Sequence, residues 1–258
     1  MNEHGKHPSI RTASANSTLD GDVLLPLYRR LQTTIARKIS EGEYKPGSAL
    51  PAELEIARFY DVAPGTARKA IDELVSDGLL ERRHGAGTFV RRPNFNNSML
   101  RFFRFRDAGG KELTPDSRII DRTIEPASDD LAKHLALQVG DNVIHMRRLR
   151  LWEGKPRLLE DIYLPLALFR PILDLDETTI GPLLYPAYEV HCDQLVSFVR
   201  EEISISDADR EDAAVLELDG ADMVVTIDRL AMNPLHIPIE WRRSRGEARR
   251  FHYMVGIT

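Results

Sequence analysis

From Leu27 onward, apolar residues Leu27, Leu31, Ile35 and Ile39 recur at the spacing of one helix face. Pro26 suits the entry to that helix and Gly42 its exit. Pro46-Gly47 marks a turn. A second, short helix is predicted over residues 51–60, with Leu54, Ala57 and Phe59 facing inward. Asp61-Val62-Ala63 is a tight connection to a third helix over residues 64–77. Its inward stripe is Ala67, Ala70, Ile71, Leu74 and Val75, and Gly78 is its C-cap candidate. The period then shortens. Leu79–Arg82 and Thr88–Val90 are predicted as strands of a hairpin turning through His84–Gly87.

Farther on, strands are expected near 117–124, 142–152, 156–163, 195–204, 223–231, 237–244 and 250–256, with helices near 128–136, 182–190 and 207–216. Glu153-Gly154-Lys155 is a short hairpin turn between two long strands. The fold class is therefore α+β: a helical head with a β-wing, then a strand-rich unit with interspersed helices.

Composition narrows the choices. With 258 residues, 42% hydrophobic and 29% charged, the chain suits a two-domain globular protein. It has no apolar run of membrane-spanning length. Residues 1–22 are polar, with no apolar signal core, and are expected to be a disordered tail. The single cysteine, Cys192, excludes an intramolecular disulfide and fits a cytoplasmic protein. The expected units are a winged helical head over 23–91, a linker over 92–99 and a second domain over 100–258. Net charge is −5 overall, yet residues 24–93 hold 12 Lys and Arg against 9 Asp and Glu. The head is thus net basic and the remainder net acidic, as expected when one module alone meets phosphate.

Two helices joined by a tight turn, followed by a wing, suit duplex DNA. The third helix can place its N-terminus in the major groove, where Gly65, Thr66, Arg68 and Lys69 are candidate contacts. Arg83, His84, Gly85 and Gly87 are the candidates at the wing, where glycine lets backbone approach a sugar-phosphate wall.

The ordered run Pro26-Leu27-Tyr28, Pro46-Gly47, Leu50-Pro51-Ala52-Glu53, Val62 with Thr66, Arg68 and Ala70, Gly78-Leu79, and Gly85-x-Gly87-Thr88-Phe89-Val90 resembles the GntR family of transcription regulators. The resemblance implies DNA contacts from Thr66 and Arg68, wing glycines against the groove, and a positioning role for Glu53. Three positions depart from the family pattern. Ala63 stands where Ser or Thr is usual, Pro64 where an Arg often reads guanine, and Leu54 near a usual phosphate contact. Base readout is expected to rest on Arg68 or Lys69 instead.

From residue 100 to the end, the chain resembles the UTRA effector domain of the histidine-utilisation-repressor-like subfamily, which implies a chorismate-lyase-like fold. The resemblance runs through Phe105, Leu135–Gly140, Arg148-Leu149-Arg150, Gly154-Lys155-Pro156, Glu160–Pro165, Leu184-Tyr185 and Pro238-Ile239-Glu240. Arg148 and Arg150, two apart on a strand, share a face, and Glu160 on the partner strand can lie opposite. From the residues alone, this alternation fits either a solvated sheet face or the wall of a pocket for an anion. The resemblance favours the pocket, formed by Arg148, Arg150, Glu160 and Glu240, with Tyr185 a lining candidate beside Trp241 and Tyr253.

The function expected is a homodimeric repressor that leaves a near-palindromic operator when a small anionic metabolite binds. A sugar phosphate or carboxylic acid is the expected class. The alternatives are an activator, or an enzyme of the lyase-like fold acting on a small anion. No cofactor, metal or membrane is expected: the eight histidines are scattered, and His191 and Cys192 are adjacent, which does not place both on one strand face.

Overall fold

The computed structural model describes residues 19–92, 116–218 and 223–251. The chain divides into two units, Met1–Pro93 and Asn94–Thr258.

In the first unit, α1 (Leu27–Ser40) follows Pro26 and buries Leu31, Thr34, Ile35, Ala36 and Ile39. Leu27, on the face expected inward, is half exposed. Thr34 is a buried polar residue whose hydroxyl is fully used: it donates to the Arg30 carbonyl and accepts from the Asp20 N–H, both at 2.8 Å. Asp20 also accepts from Arg37 at 2.6 Å, so the chain just before α1 is tied to it although it falls in the stretch expected as tail.

Helix α2 (Glu53–Phe59) buries Ile56 and Ala57 rather than the expected Leu54, which is 57% exposed. Residues two positions apart on a helix are separated by about 200°, so Leu54 and Ile56 cannot share a face. Helix α3 (Pro64–Ser76) buries Ala67, Ala70, Ile71 and Leu74 along one stripe, with Val75 at its margin. The wing strands β1 (Leu80–Arg83) and β2 (Gly87–Val90) pair antiparallel, closing with Arg83 opposite Gly87. Gly85 and Gly87 have φ of +69° and +113°, the left-handed region in which a side chain is strained. The segment before α2 joins the wing: Leu50 N–H donates to Thr88 O and Gly47 N–H to Val90 O, each at 2.8 Å. Helix α2 is thereby anchored to the wing as well as to α3.

The second unit is a six-stranded antiparallel sheet in the order β3-β4-β5-β8-β7-β6. The strands are β3 (Asp116–Pro126), β4 (Asn142–Trp152), β5 (Lys155–Pro165), β6 (Phe198–Asp207), β7 (Met223–Met232) and β8 (Pro238–Glu247). β4 and β5 are joined by Glu153-Gly154, both at positive φ, the backbone a two-residue hairpin of this twist requires. Helix α4 (Asp129–Leu135) begins at Ser128, whose hydroxyl caps Leu131 N–H. Helices α5 (Leu166–Phe169), α6 (Glu177–Ile180), α7 (Leu184–Cys192) and α8 (Arg210–Val215) complete the unit. The expected seventh strand is replaced at its start by a 3₁₀ turn over Ala248–Arg250, and its remainder lies outside the described residues.

Both sheet faces are covered, which explains why β4 and β5 are buried almost throughout rather than alternately. On one face, Ile144, Met146, Ile162 and Leu164 pack under Phe169, Ile172, Leu184 and Tyr188, which come from α5, α7 and the turn between α5 and α6. On the other, α4 packs Leu131 and Leu135 on Val143, Leu230 and Trp241, while Leu216 beyond α8 packs on Leu149, Leu159 and Val224. The register places Arg148, Glu160, Glu240, Arg242 and Arg229 on the first face, between the α7 cluster and a smaller one formed by Leu158, Val225 and Ile227.

Candidate functional site

The residues expected to contact DNA lie at the surface of the head. Pro64 and Gly65 are exposed at the start of α3, and no side chain caps that start. Thr66 is partly exposed in the same turn, and Arg68 and Lys69 stand on the exposed side, opposite the buried stripe. Glu53 accepts from two arginines at once: Arg68 Nε at 3.0 Å and Arg82 Nη2 at 2.9 Å. Arg82 also reaches Asp72 at 2.6 Å. One carboxylate on α2 therefore fixes a side chain of α3 and one of the wing. It engages the Nε edge of Arg68, leaving the two terminal nitrogens for another acceptor. Lys69 rests its ammonium 3.9 Å above the Tyr28 ring, and Arg83 grips Glu81 while lying 4.1 Å over Phe89. His84 is exposed between β1 and β2. These are exposed pairs, each worth about 0–1 kcal/mol, so they orient the basic groups only weakly.

The second unit holds a buried ionic chain. Arg148, Arg150, Glu160 and Glu240 are at most 1% exposed, so their alternation is not that of a solvated face. Arg148 and Glu160, directly opposite in register, pair through Nε at 2.8 Å and Nη2 at 2.7 Å. Arg242 bridges Glu160 at 3.2 Å and Glu240 at 2.7 Å. Glu240 also accepts from the hydroxyls of Tyr188 at 2.7 Å and Tyr185 at 3.3 Å. Arg229 donates to the Tyr185 oxygen at 3.3 Å and to Glu201 at 2.7 Å. The chain thus crosses β4, β5, β8, β7 and β6.

Its two ends differ. Burial opposes the charge on Glu160, but Arg148, Arg242 and Arg150 outweigh it and hold the carboxyl far below the ordinary range. Burial, reinforced by Arg148, lowers Arg150 to about 9, a depression that Glu160 only partly offsets. Arg150 donates to the Pro182 carbonyl just before α7. Its Nε and Nη2, and Nη1 of Arg148, have no hydrogen-bond partner among the described residues. Buried donors left unpaired cost about 1–3 kcal/mol each, more when charged. The carboxylates, by contrast, are committed to internal partners. The unpaired groups are therefore donors, which call for acceptors.

Arg148, Arg150, Glu160, Glu240 and Tyr185 lie together as the sequence suggested. Arg242, Arg229, Tyr188 and Glu201 were missed. Arg242 was within reach, since it stands two residues from Glu240 on one strand, the spacing that linked Arg148 to Arg150. Trp241 belongs to the opposite face, packed on Tyr163 and stacked on His134 at 5.0 Å, so it is a core residue. Tyr253 and Phe105 lie outside the described residues. Behind the ionic chain, Asp161, Arg245, Arg147 and Asp212 form a second cluster that fastens α8 to the sheet. Among the described residues there is no cluster fit to hold a metal and no helix long and apolar enough to cross a membrane.

Residues 27–90 match the model of the bacterial regulatory proteins of the gntR family, and residues 110–252 match that of the UTRA domain. The chain is 31% identical over 223 residues to the uncharacterized HTH-type transcriptional regulator YurK of Bacillus subtilis, covering 83% of this chain and 88% of that one. It is 28% identical over 234 residues to the HTH-type transcriptional repressor NagR of the same organism, covering 89% and 95%. The crystal structure of PhnF from Mycobacterium smegmatis shares the fold, with a TM-score of 0.52 at 24% identity over 88% of this chain and 99% of that one. The enzyme alternative falls away, because both modules are those of transcription regulators. A winged helix-turn-helix that binds DNA, joined to a small-molecule-sensing UTRA domain, makes this chain a member of the GntR family of bacterial transcription regulators.

Proposed function

We propose that the protein is a homodimeric repressor released from a near-palindromic operator when a small anionic effector occupies the arginine site of the sensing domain. The observation that carries the effector class is the set of three unpartnered, buried guanidinium nitrogens on Arg148 and Arg150. In this reading, those two arginines take the anion. Glu160, Glu240 and Arg242 hold them in place, and Tyr185 lines the site. A sugar phosphate or a carboxylic acid supplies the acceptors; an amine does not, because both carboxylates are already paired. Repression is supported by the relative named a repressor.

On operator DNA, Gly65, Thr66, Arg68 and Lys69 occupy the major groove, and Arg83, His84, Gly85 and Gly87 bring the wing to the backbone. Pro64 has no donor for a base edge, so discrimination falls to Arg68, with Lys69 swinging off Tyr28. Two copies related by a two-fold read two half-sites. Release requires the effector to bind the DNA-free state more tightly than the DNA-bound one.

Thermal unfolding of the full chain with and without candidate ligands tests the effector class. Orthophosphate, phosphorylated sugars and carboxylic acids are expected to raise the melting temperature, and neutral sugars and amines to leave it unchanged. A ligand at a hundred times its Kd adds about 2.7 kcal/mol, a shift of several degrees. Stabilisation by neutral or cationic ligands alone would refute the anionic reading.

A further inference from the structure

The exposed start of α3 is chemically bare. Ala63, Pro64 and Gly65 are all exposed, and none has a side chain that donates or accepts a hydrogen bond. Pro64 opens the helix, so even its backbone nitrogen has no hydrogen to give. Thr66, the first polar side chain, is partly covered. The exposed cations, Arg68 and Lys69, stand about one helical turn farther on.

Gly65 has no internal reason to be glycine. Its φ is not positive, and a Cβ there would meet nothing within 4 Å among the described residues. Glycine in a helix is disfavoured relative to alanine. The head would therefore gain from a side chain that this position withholds. What the missing side chain does supply is a thin tip, on which the backbone can come close to another surface.

We propose that this tip reads a thymine through its C5 methyl, with Pro64 and Ala63 making the contact and Gly65 allowing the approach. The inference rests on the reading above that α3 enters the major groove, and it names the base that the start of the helix selects. Each of the four bases presents polar atoms at the major-groove edge, and thymine alone adds a methyl. Guanine, adenine and cytosine would press a hydrogen-bonding edge against a surface that cannot answer it. A polar group buried without a partner is costly. Thymine instead offers apolar surface to the Pro64 ring and the Ala63 methyl. Hydrogen-bonded discrimination stays with Arg68, whose terminal nitrogens are free of Glu53 because that carboxylate holds the Nε edge. Each half-site is thus read by one apolar contact and one cationic contact.

The test selects binding sites for the full chain from random duplex DNA and then measures affinity for the selected site by fluorescence anisotropy. A thymine is expected at a fixed position of each half-site. Replacing it with deoxyuridine removes only the methyl, and should weaken binding about fourfold per half-site, the effect of burying one such group. Pro64→Arg, which brings donors to the tip, should select guanine at that position. Gly65→Ala should weaken binding to the thymine site without lowering the melting temperature, a split that a merely structural glycine would not give. Melting temperatures of both variants check the fold, and the deoxyuridine comparison on the native protein decides even if Pro64→Arg does not fold. No preferred sequence from the native protein would overturn the operator reading and this proposal together. A preferred sequence that is indifferent to deoxyuridine at every thymine, or a methyl-sensitive thymine that Pro64→Arg still selects, would overturn the thymine contact alone.

Discussion

Arg150→Met is expected to abolish the effector response, leave operator binding intact, and make the ligand-free sensing domain more stable. The three outcomes follow from one geometry. Arg150 is fully buried, its guanidinium is disfavoured by burial and by Arg148, and two of its nitrogens lack partners. Replacing such a charge by an apolar side chain of similar length removes the desolvation cost, a change worth roughly 1–4 kcal/mol in comparable buried sites. The same substitution removes most of the orphaned donors, so an anion loses its main reason to bind. Arg148→Met behaves differently. It strips Glu160 of two bonds, leaves a buried carboxylate under-paired, and is expected to destabilise the domain by about 3–5 kcal/mol. Urea unfolding of the two variants separates them by the sign of the change. If both destabilise equally, Arg150 has a structural role that its hydrogen bonds do not reveal.

Arg68→Ala is expected to lower operator affinity by about 10- to 100-fold, the value of one good base or phosphate contact. Glu53→Gln is expected to act more weakly and through Arg68. The neutral amide keeps the geometry within reach but loosens the grip on Arg68 and Arg82. The double substitution should then cost no more than Arg68→Ala alone, which fluorescence anisotropy with a labelled operator measures directly. Additive losses would show that Glu53 serves the fold of the head rather than the arginine. Arg58, exposed at the end of α2, is the control, and its alanine variant should bind as the native protein does.

How far the sequence carries depends on how local each feature is. The wing was legible because its glycines, the strand residues and the Gly78 stop lie within a dozen positions of one another. The β4–β5 hairpin was legible for the same reason, and with it the pairing of Arg148 to Glu160. The pairing of β5 with β8 joins residues as distant as Leu159 and Arg245. No periodicity announces such a pairing, and without it Arg242 cannot be placed between Glu160 and Glu240. Arg229 and Glu201 were hidden likewise. Leu54 misled because apolar character was taken for burial on a helix too short to have a well-defined face. Helices α5 and α6, at four residues each, are shorter than the pattern that would reveal them. Trp241 and Glu240 illustrate the reverse lesson: adjacent on one strand, they serve opposite faces, one in the core under α4 and one in the ionic chain.

In the function proposed, Arg150 and Arg68 serve two ligands, an anion and the operator, that compete for different states of one protein. Linkage makes that competition reciprocal. Calorimetric titration of the stabilising anion into the protein, alone and with saturating operator, measures it most directly. The effector should bind the operator complex at least fivefold more weakly than the free protein, the lower end of the usual range of coupling. Equal affinity in the two titrations would contradict release by effector, whatever the anion proves to be.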